Sequence, residues 1–469
     1  MRTTLILTTA AALSSSCLVH DPVVDPPPPV ELASAYTRAS SAPPPERWWV
    51  AFGDPQLTEL VGRALADNLR LEASWARVRQ ARALARQAAG GQWPQLTASL
   101  GAQRAQNRFD FGDMVIRPKV TQLSASVAVS YEVDVWRKAN SRAKAAVLDQ
   151  QASRDEYEAM AMSVAAEVAE AWFDLIAQRE QRTLLAAQLE TAETFVELVT
   201  LRFREGLGSA SEVYQQRQQV ANLRARMALV DALERVALHR LAVLLAVSPG
   251  SLELAGAITL PLVPELPGTG VPGDLLLRRP DLRAYQRRVE AADWRVAAAV
   301  ADRLPSLTLT GSTGVQSSTI GDLLQAPIWS VAANLLGVLF DGGRRKAEVE
   351  RSRAVVDELL AGYGDAVLVA IAEVESALWQ ERQQLLSIEQ LAESVELGRN
   401  ALRDARARYR EGLTDFLPVL TSLVAVHNAE QSLLDARRQA LSYRLQLVRA
   451  LGGTWTRELD APGDSDDPA

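Results

Sequence analysis

Few side chains in the 469-residue chain have the types and spacing that a catalytic, metal or phosphate site requires. The histidines show no metal-ligand spacing; they are His20, His239 and His427. SRAK at 141–144 matches an S-x-x-K pattern, but it begins a predicted long helix and lacks the companion motifs. DGGR at 341–344 is better explained by a strand-to-helix turn than by a phosphate loop. The sequence therefore predicts a protein that is not an enzyme and that uses no cofactor and no metal.

The only cysteine, Cys17, closes a short apolar segment at the amino terminus. MRTTLILTTAAALSSSC sets one Arg before an apolar run and ends in small residues, which is typical of an export signal. It resembles a bacterial lipoprotein signal, which predicts removal of residues 1–16 and acylation of Cys17. Ser14 stands where such signals usually have an aliphatic residue. A soluble exported protein with an incidental cysteine therefore remains the alternative.

The distribution of charge argues against nucleic acid as a partner, and the composition of both termini predicts little packing there. The net charge is −7, and Lys and Arg are dispersed rather than gathered into a basic stripe. Residues 17–47 are rich in Pro, Ser and Ala, which favours an extended tether after the lipid anchor. Residues 456–469 are acidic and are expected to form a disordered tail.

The chain repeats itself. RFREGL at 202–207 returns as RYREGL at 408–413, and EVAEAWFDL at 167–175 pairs with EVESALW at 373–379 at the same offset of 206. A repeat this long predicts one duplicated architecture rather than unrelated domains. The predicted parts are a first repeat at 48–246, an inter-repeat linker at 247–280 and a second repeat at 281–455.

Each repeat contains a segment with strand-like alternation. In VTQLSASVAVSYEVD the apolar and polar residues alternate, so that each kind lies on one face of a strand of about 15 residues. This length favours a transmembrane β-barrel over an ordinary packed sheet. The predicted β-hairpins lie at about 94–134 and 305–341, which makes four strands per chain.

Long helices follow the strands. Residues 137–205 contain neither Gly nor Pro, and residues 344–411 contain no Pro and only the glycines Gly362, Gly364 and Gly398. Both segments stop at the repeated hexapeptide, where Gly206 and Gly412 are expected to adopt the left-handed conformation that ends a helix. A second helix follows each turn, which predicts two long helical hairpins. A cytosolic coiled coil would explain the helices but not the export signal or the strands.

Several motifs together resemble those of one family. They are WWVAFGDPQLTELVGRALADN, RRPDLR, LPSLTLTGS, LFDGGRR, the two hexapeptides and LVRALGGTW, all between Trp48 and Trp455. Their order and spacing resemble the TolC-like outer-membrane factors, and within them the lipoprotein branch of efflux-pump channels. The resemblance implies a mainly α fold with transmembrane β-strands. Three copies would close a 12-stranded outer-membrane β-barrel that continues into the periplasm as an α-barrel.

The resemblance also implies the function and the partners. The chain would be the passive exit duct of a tripartite efflux system in the outer membrane. A periplasmic adaptor and an inner-membrane pump would open it for small molecules such as drugs. The alternatives are the exit duct of a type I protein-secretion system and a periplasmic coiled-coil lipoprotein scaffold that forms no pore.

Site residues carry over from the family to the hexapeptide turns. Adaptor contacts are expected at the periplasmic tip, at Arg202, Gly206, Leu207, Arg408, Gly412 and Leu413. Gate candidates are Glu212, where the family usually has Asp, and Asp415 inside the second turn. Thr421 and Val424 occupy the positions expected to hold an acidic residue and an Arg. This departure predicts a gate that differs from that of the relatives.

Overall fold

The computed structural model describes residues 19–38, 46–110, 112, 114–255, 259–323 and 327–459. Cys17, the predicted signal and residues 460–469 of the predicted tail lie outside these ranges. The helices are α1 (Pro55–Asp67), α2 (Leu69–Gly90), α3 (Lys138–Arg204), α4 (Ala210–Leu244), α5 (Leu275–Arg278), α6 (Pro280–Ala301), α7 (Arg344–Arg410) and α8 (Leu417–Leu451). The strands are β1 (Gln95–Gln106), β2 (Phe109–Asp110), β3 (Val115–Ile116), β4 (Lys119–Val133), β5 (Ser306–Ser317) and β6 (Pro327–Leu336).

The chain divides into two compact units. Unit 1 comprises Met1–Pro29, Arg77–Arg154 and Ala284–Gly364, and unit 2 comprises Val30–Ala76, Asp155–Arg283 and Asp365–Ala469. Unit 1 contains the strands, and unit 2 contains both helical turns.

A four-stranded antiparallel sheet in the order β1-β4-β5-β6 dominates unit 1. β4 runs unbroken for 15 residues, as predicted, so its alternating side chains share faces. The register places Leu96 opposite Val129 in an apolar row. On the other face hydroxyl pairs form, with Ser99 and Ser126 at 2.8 Å and Ser312 and Ser330 at 2.8 Å. The sheet therefore has one apolar and one polar face, and β1 and β6 are its edges.

The two long helices, α3 and α7, each span 67 residues, and each is followed by a helix of 35 residues. The predicted hairpins are thus present, and Gly362 and Gly364 lie inside α7 without breaking it. We call α3–α4 the first hairpin and α7–α8 the second hairpin. In the described ranges, no helix combines the length and the apolar character needed to cross a membrane.

The core of unit 2 gathers on the middle of α3. Trp172, Phe173 and Ile176 are fully buried. Asp54 both caps α1 and accepts a hydrogen bond from the Trp172 indole at 2.7 Å. Phe52, in the 3-10 turn Trp48–Phe52, packs on Phe173 with ring centroids 5.1 Å apart. The residues of WWVAFGD therefore attach the start of the chain to the long helix.

The segment predicted as a tether at 17–47 is partly docked. In unit 1, Asp293 of α6 accepts a hydrogen bond from the Val23 backbone at 2.8 Å, and its other oxygen lies 2.7 Å from the His20 ring. Pro22 and Pro26 are buried there. In unit 2, Tyr36 is buried. The expectation of an extended tether that buries no core is therefore corrected for residues 19–38, because Pro22, Pro26 and Tyr36 are buried.

The predicted tail also begins later than residue 456. Trp455–Glu458 forms a 3-10 turn in which Trp455 and Thr456 are buried. Trp455 packs edge-on against Trp49 at 4.9 Å. This aromatic contact fixes the segment after α8 to the 3-10 turn Trp48–Phe52.

Candidate functional site: the turns of the two helical hairpins

The first turn ends α3 with a Schellman motif. Gly206 has φ of 71°, in the left-handed region that was predicted for it. The Gly206 N–H donates to the Phe203 carbonyl at 3.1 Å, and the Leu207 N–H donates to the Arg202 carbonyl at 2.8 Å. These two bonds satisfy carbonyls that the helix would otherwise leave unpaired.

The second turn repeats this geometry at Gly412, whose φ is 72°. Its N–H donates to the Tyr409 carbonyl at 3.1 Å, and the Leu413 N–H donates to the Arg408 carbonyl at 2.9 Å. The Arg408 side chain is exposed and pairs with Asp404 one helical turn earlier, at 2.9 Å. The backbone of the two turns is therefore the same, but the arginines have different environments.

Arg202 joins the two hairpins. Its guanidinium lies 4.4 Å from the centroid of the Tyr409 ring and donates weakly to the Tyr409 carbonyl at 3.4 Å. It also donates to the Leu207 carbonyl at 3.4 Å. The cation–π contact contributes about 0.5–2 kcal/mol. Arg202 therefore holds its own turn and contacts the second hairpin.

Glu212 also contacts Tyr409, on the second hairpin. It belongs to the first turn of α4, where its N–H donates to the capping hydroxyl of Ser209 at 3.3 Å. The Tyr409 hydroxyl donates to the Glu212 carboxylate at 3.4 Å, which is long for a hydrogen bond of this kind. Burial and the Glu212 carboxylate raise the pKa of Tyr409, and Arg202 opposes them. Tyr409 therefore stays protonated and able to donate.

A hydrophobic cluster, here called the tip core, underlies these polar contacts. It contains Phe195, Val199, Val213, Leu402, Ala405, Tyr409, Phe416, Val419, Leu423 and Val426. Phe416 is fully buried and packs on Tyr409 at 5.4 Å and on Phe195 at 6.1 Å between ring centroids. The helices α3, α4, α7 and α8, or their caps, all supply residues to the tip core. Burial of each large side chain there stabilises the packing of the two hairpins by about 1.5–3 kcal/mol.

Arg406 places a cation beside the tip core. Its guanidinium lies 4.8 Å from the centroid of the Phe195 ring, and its Nε is buried without a hydrogen-bond partner among the described residues. Burial lowers the pKa of Arg406. The group still carries its charge, because the guanidinium pKa starts far above neutrality.

The other gate candidates show different environments. Thr421 uses its hydroxyl within α8, donating to the Leu417 carbonyl at 3.0 Å or to the Pro418 carbonyl at 3.1 Å. Val424 is partly buried, and Asp415 is exposed just before α8. Glu212 is thus the gate candidate that the structure brings into contact with the other hairpin.

The sequence predictions missed Tyr409, Phe195 and Phe416. A signal for Tyr409 was present, because it replaces Phe203 as the one difference between the two hexapeptides. Phe203 is 46% exposed, whereas Tyr409 is buried against Arg202. Among the residues that the structure describes, no group of three or more His, Cys, Asp or Glu side chains is arranged to hold a metal ion.

Comparison with known proteins identifies the family to which this architecture belongs. A family model described as outer membrane efflux protein matches residues 60–247 and 271–453. The pyoverdine export outer membrane protein OpmQ of Pseudomonas aeruginosa is 32% identical, with 87% of each chain covered. The toluene efflux pump outer membrane protein TtgF of Pseudomonas putida is 28% identical over 87% of this chain and 85% of its own.

Solved structures show the same fold. The outer-membrane channel OprN superposes with a TM-score of 0.88 and 27% identity, covering 94% of this chain and all of its own. The open state of the MtrE channel of Neisseria gonorrhoeae gives a TM-score of 0.83, at 24% identity over 92% and 98% of the two chains. The predicted resemblance to TolC-like channels and the predicted fold class are therefore confirmed. The chain belongs to the outer membrane efflux protein family and is an efflux exit duct of the outer membrane.

Proposed function

We propose that the functional unit is a homotrimer that conducts small molecules passively from the periplasm to the exterior. A periplasmic adaptor and an inner-membrane pump would open it at the hairpin turns. The chain itself would perform no reaction and would select its cargo by pore width and lining charge. The observation that carries the proposal is the two-faced sheet of unit 1, which ends in two unpaired edges.

The sheet supports closure by copies of itself. β1 and β6 are edge strands, and an edge presents unpaired backbone groups that lipid cannot satisfy. The apolar face, with Leu96 and Val129, suits lipid, and the polar face, with its serine pairs, suits water. If β1 of one copy pairs with β6 of the next, three chains close 12 strands without an edge.

The long helices support the same assembly. In unit 2, α4 exposes an apolar stripe at heptad-like spacing, made of Leu229, Leu233, Val236 and Val243. α7 exposes a second stripe on one face, made of Leu368, Trp379, Leu386 and Leu397. Because the stripes lie on different helices, contact between them in neighbouring copies would be head-to-tail and could close a ring.

The turns support a role in docking and gating. Leu207 and Leu413 are 67% and 68% exposed, so the turns present apolar side chains that an adaptor could bury. Closure would depend on the contact of Tyr409 with Glu212 and Arg202, which must separate before the hairpins move apart. The adaptor would act by stabilising the separated state.

The relatives suggest the cargo class. OpmQ is named for pyoverdine export and TtgF for toluene efflux, so related ducts serve molecules of very different polarity. We infer that this chain likewise passes small organic molecules, and that the pump rather than the duct selects among them. We also infer that Cys17 is acylated after signal cleavage, which would anchor the mature amino terminus in the outer membrane.

Fractionation and gel analysis test the assembly. The full-length protein is expected in the outer-membrane fraction as a trimer on unheated gels that becomes a monomer after heating. Mass spectrometry of the mature amino terminus should show an acylated Cys17. A soluble monomer in the periplasmic fraction would instead support the scaffold alternative.

Single-channel recording tests the gate. Alanine at Glu212 should raise the conductance because the Tyr409 hydroxyl loses its acceptor. Alanine at both Glu212 and Asp415 should raise it at least as far. An unchanged conductance in the double variant would remove both carboxylates from the gate.

A further inference from the structure

His427 is buried beside the tip core without a full set of partners. It follows Val426, a member of the tip core, on α8, and only 5% of its surface is exposed. Its Nδ1 is buried and has no hydrogen-bond partner among the described residues. A buried ring nitrogen without a partner destabilises the packed state, so its presence beside the tip core calls for a reason.

The charged groups that act on His427 come from three helices. Arg406 belongs to α7, Arg226 to α4 and Glu430 to α8. Arg226 donates to the neutral amide of Gln431 at 2.9 Å, and Arg406 lies on the Phe195 ring. Neither contact supplies a negative charge. Both guanidinium groups therefore disfavour a positive charge on His427.

The single carboxylate in this set already has a cationic partner. Glu430 forms an ion pair with Arg399 of α7 at 2.6 Å. Its second oxygen accepts a hydrogen bond from Gln188 of α3 at 3.0 Å. Through these bonds Glu430 connects both hairpins, but little of its charge is left to balance a protonated histidine.

The neutral form of His427 is therefore the one that fits the packed hairpins. Burial lowers the pKa of His427, and Arg406 and Arg226 act in the same direction while Glu430 opposes them. Protonation would add a cation to a buried site that already contains two. Separation of the hairpins would relieve this by admitting water and by increasing the distance from His427, in the second hairpin, to Arg226, in the first.

Resting on the proposed duct, we propose that His427 is a proton-sensitive latch that keeps the hairpin turns closed when neutral and releases them when protonated. A histidine in water has a pKa of about 6.5, so the separated state binds the proton more readily than the packed state. Acidification from pH 7.5 to 5.5 then shifts the equilibrium between packed and separated hairpins toward the separated state by up to about tenfold in each subunit.

Single-channel recordings of the full-length trimer in planar bilayers test this latch. The wild-type open probability should rise several-fold between pH 7.5 and pH 5.5. His427→Gln and His427→Asn cannot titrate in this range and should show no such rise. His427→Lys carries a permanent charge and should open at pH 7.5. The matched control is His239→Gln, since His239 is exposed on α4, and it should follow the wild type.

Two outcomes would overturn the latch. The wild-type open probability could be independent of pH, or the rise could persist unchanged in both neutral variants. Size-exclusion chromatography must first show that each variant forms the wild-type oligomer. A preparation that conducts ions but shows no pH effect contradicts the latch alone. A preparation in which no variant conducts at either pH contradicts the duct and the latch together.

Discussion

Two positions of the repeated hexapeptide behave differently: the glycine keeps one role in both turns, whereas the first arginine does not. The glycines do the same work in both turns, because each takes a positive φ that closes a Schellman motif. The first arginine does not: Arg202 stacks on Tyr409, and Arg408 pairs with Asp404 in its own helix. The glycine role follows from helix geometry, whereas the role of Arg202 depends on a neighbour about 200 positions away.

Alanine at Gly206 or Gly412 tests the turn geometry. No atom lies within 4 Å of an added Cβ at either position, so the cost comes from the left-handed backbone alone. Each substitution should destabilise the fold by about 1 kcal/mol, measured by denaturant unfolding in detergent. Gly62→Ala is the matched control, because Gly62 lies in α1 in open space and without a positive φ. It should leave stability unchanged or raise it, and an equal loss there would refute the backbone explanation.

Elements were predicted well wherever a local rule fixes them. The absence of Gly and Pro predicted α3, period-two alternation predicted β4, and the hexapeptides predicted the turns. Contacts between distant elements were not accessible to such rules. RRPDLR is an example: Arg279 donates to Glu373 at 2.5 Å and to the Ala450 carbonyl at 3.3 Å, which joins the residue between α5 and α6 to the second hairpin. A linear pattern contains no information about these partners.

The buried ion pair of Arg444 and Glu381 gives a prediction for the second hairpin. Both residues are at most 3% exposed, and two hydrogen bonds of 2.7 Å join them. Arg444 also donates to the carbonyls of Pro264 and Glu265, which fixes the inter-repeat linker. Arg444→Ala should cost about 3–5 kcal/mol, because Glu381 would remain charged and buried.

Thermal unfolding of the oligomer measures this cost. Arg351→Ala is the control, since Arg351 pairs with Glu348 on the exposed surface of α7. That variant should unfold at the wild-type temperature. If both alanine variants had the same Tm as the wild type, the buried pair would not stabilise the hairpin.

At the scale of the whole molecule, the trimer stays a prediction of the sequence, and the sequence could not identify the surfaces that copies would share. The exposed stripes of α4 and α7 supply candidates for them. Leu233→Cys combined with Leu386→Cys should give disulfide-linked species up to the trimer on non-reducing gels. The only native cysteine is Cys17, so the single variants are clean controls and should give no such ladder. Absence of cross-linking in a protein shown to be trimeric would exclude this pairing of stripes.

The central claim is that copies of this chain close a conducting duct, and ion conductance measures it most directly. Full-length protein purified from the outer-membrane fraction would be inserted into planar bilayers and recorded at neutral pH. We predict discrete conductance steps from the trimeric fraction, which disappear when the same sample is heated to monomers. A trimer that inserts without conducting, in the wild type and in Glu212→Ala alike, would contradict the account.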